Sequence, residues 1–351
     1  MDNLPKDIIQ NIANRLTTYS DYKRTREVCK YSWSFIEKIP RHLPPQPWMM
    51  ILTSQFQLGN QSFFDLSVGR LAVFEPTMNC ERNVHVKFSH GEFIIFQKNL
   101  DIDVLVVKRE GKKESVRTLP SLSKLPTVVT YEPERKDKEY QVRWRADSDE
   151  TRYLSLSRMG NYIKKIVLAP GKGCLAILNS ATGLAVSRFE EKSWTFFSEV
   201  VFCWDAIHYK GKFYALNSDL SIFIYDIHSG ISSSRSITKP WNVLIDVWAR
   251  KNLVNSGEDF FLVVCHICPQ SFDIFRIDRA IWSWEKVQDL GELSIFIGSK
   301  PCDSFCFSHV KGLENCVLYS PGSLHNASIF DLKNKHITKW YKWIKLSNFG
   351  M

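Results

Sequence analysis

Cys265-His266-Ile267-Cys268 is the spacing in this chain that comes nearest to chemistry, because two thiolates three positions apart can share one zinc ion, with Cys302, Cys306 and Cys316 downstream as further ligands. The downstream cysteines lack a second tight pair, however. Cys265 ends the apolar run from Phe260 to Val264, so it reads as a small hydrophobe packed at the end of a strand. Ala169-Pro170-Gly171-Lys172-Gly173 has the glycines and lysine of a phosphate loop. It lacks the complete Gly-x-x-x-x-Gly-Lys-Ser/Thr pattern and a following helix, and it predicts a turn between strands. There is no Gly-x-Ser-x-Gly elbow and no His-Glu-x-x-His pattern, and the nine histidines sit singly. His208, between Ile207 and Tyr209 on a predicted strand, reads as a structural residue rather than a base. The expectation is a chain with no catalytic residue, no metal and no cofactor.

Composition bounds the alternatives. With 44% of its 351 residues apolar and 13% aromatic, the chain has material for one large core and a small second unit. No stretch approaches the roughly 18 uninterrupted apolar residues of a membrane span, and the N-terminus, with Asp2, Lys6 and Asp7, has no signal-peptide pattern. The nine cysteines are an odd number without the density of a disulfide scaffold, which predicts reduced thiols in the nucleus and/or cytoplasm. The formal charge of +9 invites a nucleic-acid partner. Its distribution argues against one: between Lys108 and Arg152 basic residues alternate with Glu110, Glu114, Glu132, Glu134, Asp137, Glu139, Asp147 and Glu150, the pattern of a solvated mixed surface.

The first forty residues are helical in pattern. Asn3 can cap a helix whose first turn holds Pro5, and Asp7 lies at the positive end of its dipole. Leu4, Ile8, Ile9, Ile12 and Leu16 recur at helical spacing as one apolar stripe. Thr17 to Ser20 break it, a second helical stretch carries Tyr22, Val28, Cys29, Ser32 and Phe35, and Pro40, Pro44, Pro45 and Pro47 stop any continuation. So short a unit buries too little surface to offset its chain entropy alone, so the stripe must be covered either by the chain's own body or by a partner.

From about Gln46 the pattern changes to short apolar runs punctuated by Gly, Asn, Asp and Ser, the signature of a many-stranded antiparallel fold. Ile207-His208-Tyr209, Lys212 to Leu216 and Ser221 to Tyr225 read as a meander joined by a Lys210-Gly211 turn and an Asn217-Ser218-Asp219 turn. An aromatic-acid-aliphatic step occurs as Tyr225-Asp226-Ile227 and Phe330-Asp331-Leu332, and more loosely at Phe275-Arg276-Ile277-Asp278. Turns followed by tryptophan occur at Trp194 and at Trp282 and Trp284. Recurrence at roughly 45 to 55 residues fits propeller blades, about six or seven of them, with Trp194, Trp282 and Trp284 in the core. A large β-sandwich or two stacked barrels are the other packings this pattern allows.

The head, Leu4-Pro5-Lys6-Asp7-Ile8-Ile9-Gln10-Asn11-Ile12-Ala13-Asn14-Arg15-Leu16 followed by Asp21, Arg24, Arg26, Val28, Cys29 and Trp33, resembles an F-box. The body is similar to the KIB-type β-propeller that follows an F-box in many plant proteins. That likeness rests on Pro47-Trp48-Met49-Met50, Phe63 to Ser67 with Gly69-Arg70, Ser89-His90-Gly91, Lys192 to Thr195, Asp205 to Ala215 and Leu293 to Ser299, and it fades between Lys98 and Lys165. The resemblance implies a fold that is mainly β with a three-helix head: F-box 1–40, proline-rich linker 41–47, propeller 48–345 and tail 346–351. It implies a non-catalytic substrate-recognition subunit of an SKP–cullin–F-box ubiquitin ligase. The head would hold the SKP-type adaptor, and through it cullin and RING subunits, by Leu4, Pro5, Ile8, Ile9, Ile12, Leu16, Val28 and Cys29, while the propeller binds a protein target. One departure is the extra residue between Cys29 and Trp33, which rotates Trp33 by about 100° on an ideal helix. It keeps open a different function, a non-ligase propeller scaffold with a degenerate F-box. A propeller hydrolase or lectin is a third reading.

Overall fold

A computed structural model of the chain describes residues 5–15, scattered positions between 22 and 36, and most of 48–339; between 48 and 117 it describes the strand backbone. Among the described residues, helix α1 (Lys6–Arg15) precedes a succession of sheets. The first holds β1 (Trp48–Ile51), β2 (Gln61–Asp65) and β3 (Arg70–Phe74), and the second β4 (Val84–His90), β5 (Phe93–Lys98), β6 (Asp101–Val107) and β7 (Lys113–Leu119). The third holds β8 (Val128–Glu132), β9 (Glu139–Arg143) and β10 (Thr151–Ser155). Three sheets of four strands follow: β11 (Ile163–Ala169), β12 (Gly173–Leu178), β13 (Leu184–Arg188) and β14 (Thr195–Phe197); β15 (Asp205–Tyr209), β16 (Lys212–Leu216), β17 (Ile222–Asp226) and β18 (Ser232–Arg235); and β19 (Arg250–Asn255), β20 (Phe260–His266), β21 (Ser271–Asp278) and β22 (Ser283–Val287). The seventh contains β23 (Leu293–Ile297), β24 (Phe305–Ser308), β25 (Cys316–Tyr319), β26 (Ser328–Asp331) and β27 (His336–Lys339), with β24 outermost on one side and β23 pairing β25 in parallel. Seven sheets among the described residues agree with the expectation of about six or seven blades.

The short apolar runs acquire their reason in the packing between sheets. Side chains of a strand alternate between its two faces, so a strand with a neighbouring sheet on both sides must be apolar throughout. In β12, Cys174, Ala176 and Leu178 enter the seam toward β9 and the segment after β7, while Leu175 and Ile177 enter the seam toward the fifth sheet. In β17, Phe223 and Tyr225 share that second seam, and Ile222 and Ile224 face the sixth sheet. In β20, Phe260, Leu262 and Val264 meet the fifth sheet, and Phe261, Val263 and Cys265 meet the seventh. The leading strands β11, β15 and β19 are neighbours, with β4 against β11 and β24 against β19. This is the stacking of propeller blades, in which every sheet is covered by the next.

The charged region between Lys98 and Lys165 is not a plain surface insertion. Leu119, Leu122, Leu125 and Val142 are buried against β11 and β12, and Trp194 Nε1 donates to the Pro120 carbonyl at 3.1 Å. Tyr162 Oη donates to Thr127 Oγ1 at 2.7 Å in the same buried seam. A tryptophan far along the chain therefore holds the stretch that joins the second and third sheets.

Two turns show how local chemistry sets the register. Tyr209 pairs with Lys212 across a two-residue turn in which Lys210 and Gly211 both have positive φ, 45° and 80°, as a type I′ hairpin requires. In the next turn the left-handed residue is Leu220, at φ 67°, not Asn217. Leu220 is buried in the seam with the sixth sheet, and Asn217 instead accepts the Leu220 N–H at its carbonyl and donates Nδ2 to Ser221 Oγ.

The aromatic-acid-aliphatic repeat also has a structural cause. Asp226 Oδ1 accepts the N–H groups of His228 and Ser229, Asp278 Oδ1 those of Ala280 and Ile281, and Asp331 Oδ1 those of Lys333 and Asn334. The acid ends the last strand but one of its sheet and closes the turn to the last strand, while the aromatic residue before Asp226 and before Asp331 is buried in a seam.

Candidate functional site

Helix α1 begins after Pro5, whose carbonyl accepts the Ile8 and Ile9 N–H groups at 3.1 and 3.2 Å, and Asp7 lies in its first turn. The single stripe read from the sequence divides in two. Ile9 and Ala13, one turn apart, are buried with Tyr22 and Ile36 in a small cluster, to which Arg26 Nε adds a hydrogen bond to the Ile36 carbonyl at 3.1 Å. Ile8 and Ile12, also one turn apart, stay open at 41% and 39% exposure, and Pro5 is exposed beside them. Leu4, Leu16, Val28, Cys29 and Trp33 lie outside the described residues. Sequence spacing placed all the isoleucines on one face; it could not say that Tyr22 and Ile36 would cover half of it.

A second constellation lies where the leading strands β11, β15 and β19 begin. Asp205 is buried and carries three partners: Lys165 Nζ donates to Oδ1 at 2.7 Å, the Ala206 N–H to the same oxygen at 2.9 Å, and the Leu253 N–H to Oδ2 at 2.8 Å. Lys164 Nζ donates to the Cys203 and Trp204 carbonyls at 3.1 and 2.7 Å. The buried Lys251 places its ammonium 4.0 Å from the centroid of the Trp204 ring and donates to the Ala249 carbonyl. Arg250 Nη2 donates to the Gly298 carbonyl at 2.6 Å, and Asn252 Nδ2 to Ser304 Oγ at 3.3 Å. Burial pulls the Lys164 ammonium below its ordinary value, an effect partly opposed by the Asp205 carboxylate. Four cations and a carboxylate therefore gather from three sheets. No local motif announces them, since each sheet contributes only one to three consecutive residues; the one visible signal is charge inside an otherwise apolar strand, as at Lys164 and Lys165 in β11.

The other sequence candidates that lie among the described residues have definite places in the fold. Cys265 is buried in the seam with the seventh sheet, and Cys268 and Cys302 lie outside the described residues. No group of three or more His, Cys, Asp or Glu residues able to hold a metal occurs among the described residues. Lys172 sits in the turn between β11 and β12 and donates to the His228 ring. The His208 ring packs on Phe213 with centroids 5.4 Å apart. Trp194 and Trp284 are buried, while Trp282 is half-buried in a turn at φ 50° under the Arg235 guanidinium. No helix among the described residues is long and apolar enough to cross a membrane.

Stacked four-stranded antiparallel sheets with continuous seams between them define a β-propeller protein. The chain belongs to the KIB1-4 beta-propeller family, whose model matches residues 63–337. The match starts inside β2, whereas the pairing of β1 with β2 carries the first sheet back to Trp48. No curated protein matches the chain. Among solved structures it is similar to AztD of Citrobacter koseri, at 11% identity and a TM-score of 0.38 over 71% of this chain and 55% of that one. The apo form of AztD matches at 10% identity and a TM-score of 0.38, over 75% of this chain and 63% of that one. The β-propeller domain of Cps50 (Swd1) from Myceliophteria thermophila is 9% identical with a TM-score of 0.38, covering 85% and 87% of the two chains. The chain thus spans less than two thirds of AztD in either form.

Proposed function

We propose that this chain is the substrate-recognition subunit of an SKP–cullin–F-box ubiquitin ligase, acting in the nucleus and/or cytoplasm. The observation that carries the reading is the division of α1. Ile9 and Ala13 are turned into the head's own cluster, while Ile8 and Ile12 stand open at 41% and 39% beside the exposed Pro5. A ten-residue helix is marginal in water by itself, and an aliphatic pair left open on it gains from burial against a partner, about 1.5–3 kcal/mol for each side chain fully covered. Leu4, Pro5, Ile8, Ile12, Leu16, Val28 and Cys29 form the adaptor contact in this reading, and Ile9 supports them from within.

The chain would supply no chemistry to the reaction. Its seams are filled by apolar side chains, so the propeller is a rigid platform that holds a protein target while the adaptor, cullin and RING subunits bring a ubiquitin thioester carried by another protein. Catalysis is then a matter of effective concentration of target lysines. Capture of an SKP-type adaptor tests this. Wild type is expected to retain the adaptor and the Ile8→Asp, Ile12→Asp double variant to lose it; if both retain equally little, the chain is a propeller scaffold whose head has lost the ligase function.

A further inference from the structure

The cation cluster at the start of β11, β15 and β19 has a feature that its internal pairing does not explain. Trp204 Nε1 is buried and finds no acceptor among the described residues. A buried N–H without a partner is costly, and a water, ion or ligand that supplies the acceptor is one reason such a group is retained. Two ammonium groups stand near the Trp204 indole, Lys251 Nζ at 4.0 Å and Lys164 Nζ at 5.7 Å from its centroid. Trp284 Nε1 is also without an acceptor, but Trp284 packs in the apolar seam between the fifth and sixth sheets with no cation over its ring among the described contacts. Trp204 alone of the two faces positive charge.

We propose that Trp204 Nε1 and the Lys164 ammonium form a binding site for an oxyanion, a carboxylate or a phosphate, at the end of the propeller where the leading strands begin. The indole donates one hydrogen bond and Lys164 supplies charge. Lys164 is held by two neutral carbonyls, Cys203 and Trp204, so its charge is not consumed by a carboxylate contact. Arg250 adds to the local positive potential that Lys164 feels. Asp205, the nearby carboxylate, does not repel the ligand strongly, because Lys165 and the Ala206 and Leu253 N–H groups already neutralise both of its oxygens. Lys164, Lys165, Trp204 and Arg250 are each half-buried, so the residues around the buried indole N–H retain some exposure to solvent. This site is independent of the ligase reading, since it uses no residue of the head.

The test is a titration of the full-length protein labelled with 15N at its tryptophan indoles, with the Trp204 resonance assigned from its disappearance in Trp204→Phe. Sodium acetate, inorganic phosphate and a short peptide with a free C-terminal carboxylate are the probes, with sodium chloride at equal ionic strength as the reference. A saturable shift of the Trp204 indole with at least one probe and not with chloride is expected, weakened by about tenfold or more in Lys164→Met, as loss of one charge-assisted hydrogen bond implies. Tighter binding of phosphate identifies a phosphate ligand; binding of the peptide acid but not its amide identifies a chain-end carboxylate. An indole that moves equally in chloride, or an affinity unchanged in Lys164→Met with the native circular dichroism spectrum preserved, overturns the proposal.

Discussion

Lys165 Nζ and Asp205 Oδ1 meet at 2.7 Å across the seam between the fourth and fifth sheets, and the other oxygen of the same carboxylate takes the Leu253 N–H of the sixth sheet at 2.8 Å. One buried side chain thus ties three sheets together at the place where their leading strands converge. Asp205→Ala leaves an ammonium and two backbone N–H groups without that acceptor, and is expected to lower unfolding free energy by about 3 kcal/mol. Urea denaturation with an unchanged m-value checks it.

Acid should loosen a cross-strand contact in the sixth sheet and a turn in the seventh through identifiable carboxylates. Partial burial pushes Asp273 up, but hydrogen bonds from Lys286 and His266 outweigh it and hold the carboxyl below its ordinary value. At Asp331 a slight burial effect is likewise overcome by the Asn334 and Lys333 hydrogen bonds. Both groups therefore stabilise the fold fully above the unfolded-state value of about 3.9, and that contribution is lost as pH falls through the lower folded value. Asp273→Asn and Asp331→Asn should flatten the acid limb of stability against pH below about 4, and a limb identical to wild type would contradict the assignment.

Trp194 is the long-range clasp between the fourth sheet and the segment 119–127. Trp194→Phe removes the hydrogen bonds to the Pro120 and Ser121 carbonyls and should cost about 1–3 kcal/mol; Trp194→Ala, which also empties the seam, about 3–5 kcal/mol. Thermal denaturation of the pair separates the polar from the packing contribution.

Gly173 should not tolerate a side chain. A methyl group built there meets the Ser187 carbonyl oxygen and lies 2.7 Å from the Arg188 Cα, both backbone atoms of the paired strand β13. Gly173→Ala is expected to destabilise by about 1–3 kcal/mol, measurable as a lowered denaturation midpoint.

The buried thiols should be chemically silent in the native state. Burial pushes the Cys203 thiol up to about 12, with Lys164 only partly opposing it, and raises Cys174 and Cys306 as well. Iodoacetamide at pH 8 should leave these three unmodified until denaturant is added, with peptide mass spectrometry as the readout. Rapid native alkylation of Cys203 would mean that the leading end of β15 opens.

Much of the β body was legible because its signals are local. The Lys210-Gly211 hairpin, the meander from Asp205 to Asp226 and the recurring acid at Asp226, Asp278 and Asp331 are each set by residues a few positions apart. The charged stretch from Lys98 to Lys165 was less legible. Its alternating charges read in the sequence as a solvated surface, while Leu119, Leu122, Leu125 and Val142, scattered between them, find their seam only when β11 and β12 arrive. The positive φ at Leu220 was invisible for a similar reason, because burial in a distant seam offsets the local strain.

By itself the sequence determined a helix near the N-terminus, a body of short strands and the turn chemistry that spaces them, since helix periodicity, strand alternation and turn preference are properties of neighbouring residues. Only the tertiary structure decided which isoleucines of α1 remain open and which charged residues converge. Ile8 and Ile12 are exposed because Tyr22 and Ile36 cover the other face, and Lys164, Asp205 and Lys251 become one cluster because three sheets stack with their leading strands side by side. Contacts of that kind join residues dozens of positions apart, and no spacing along the chain encodes them.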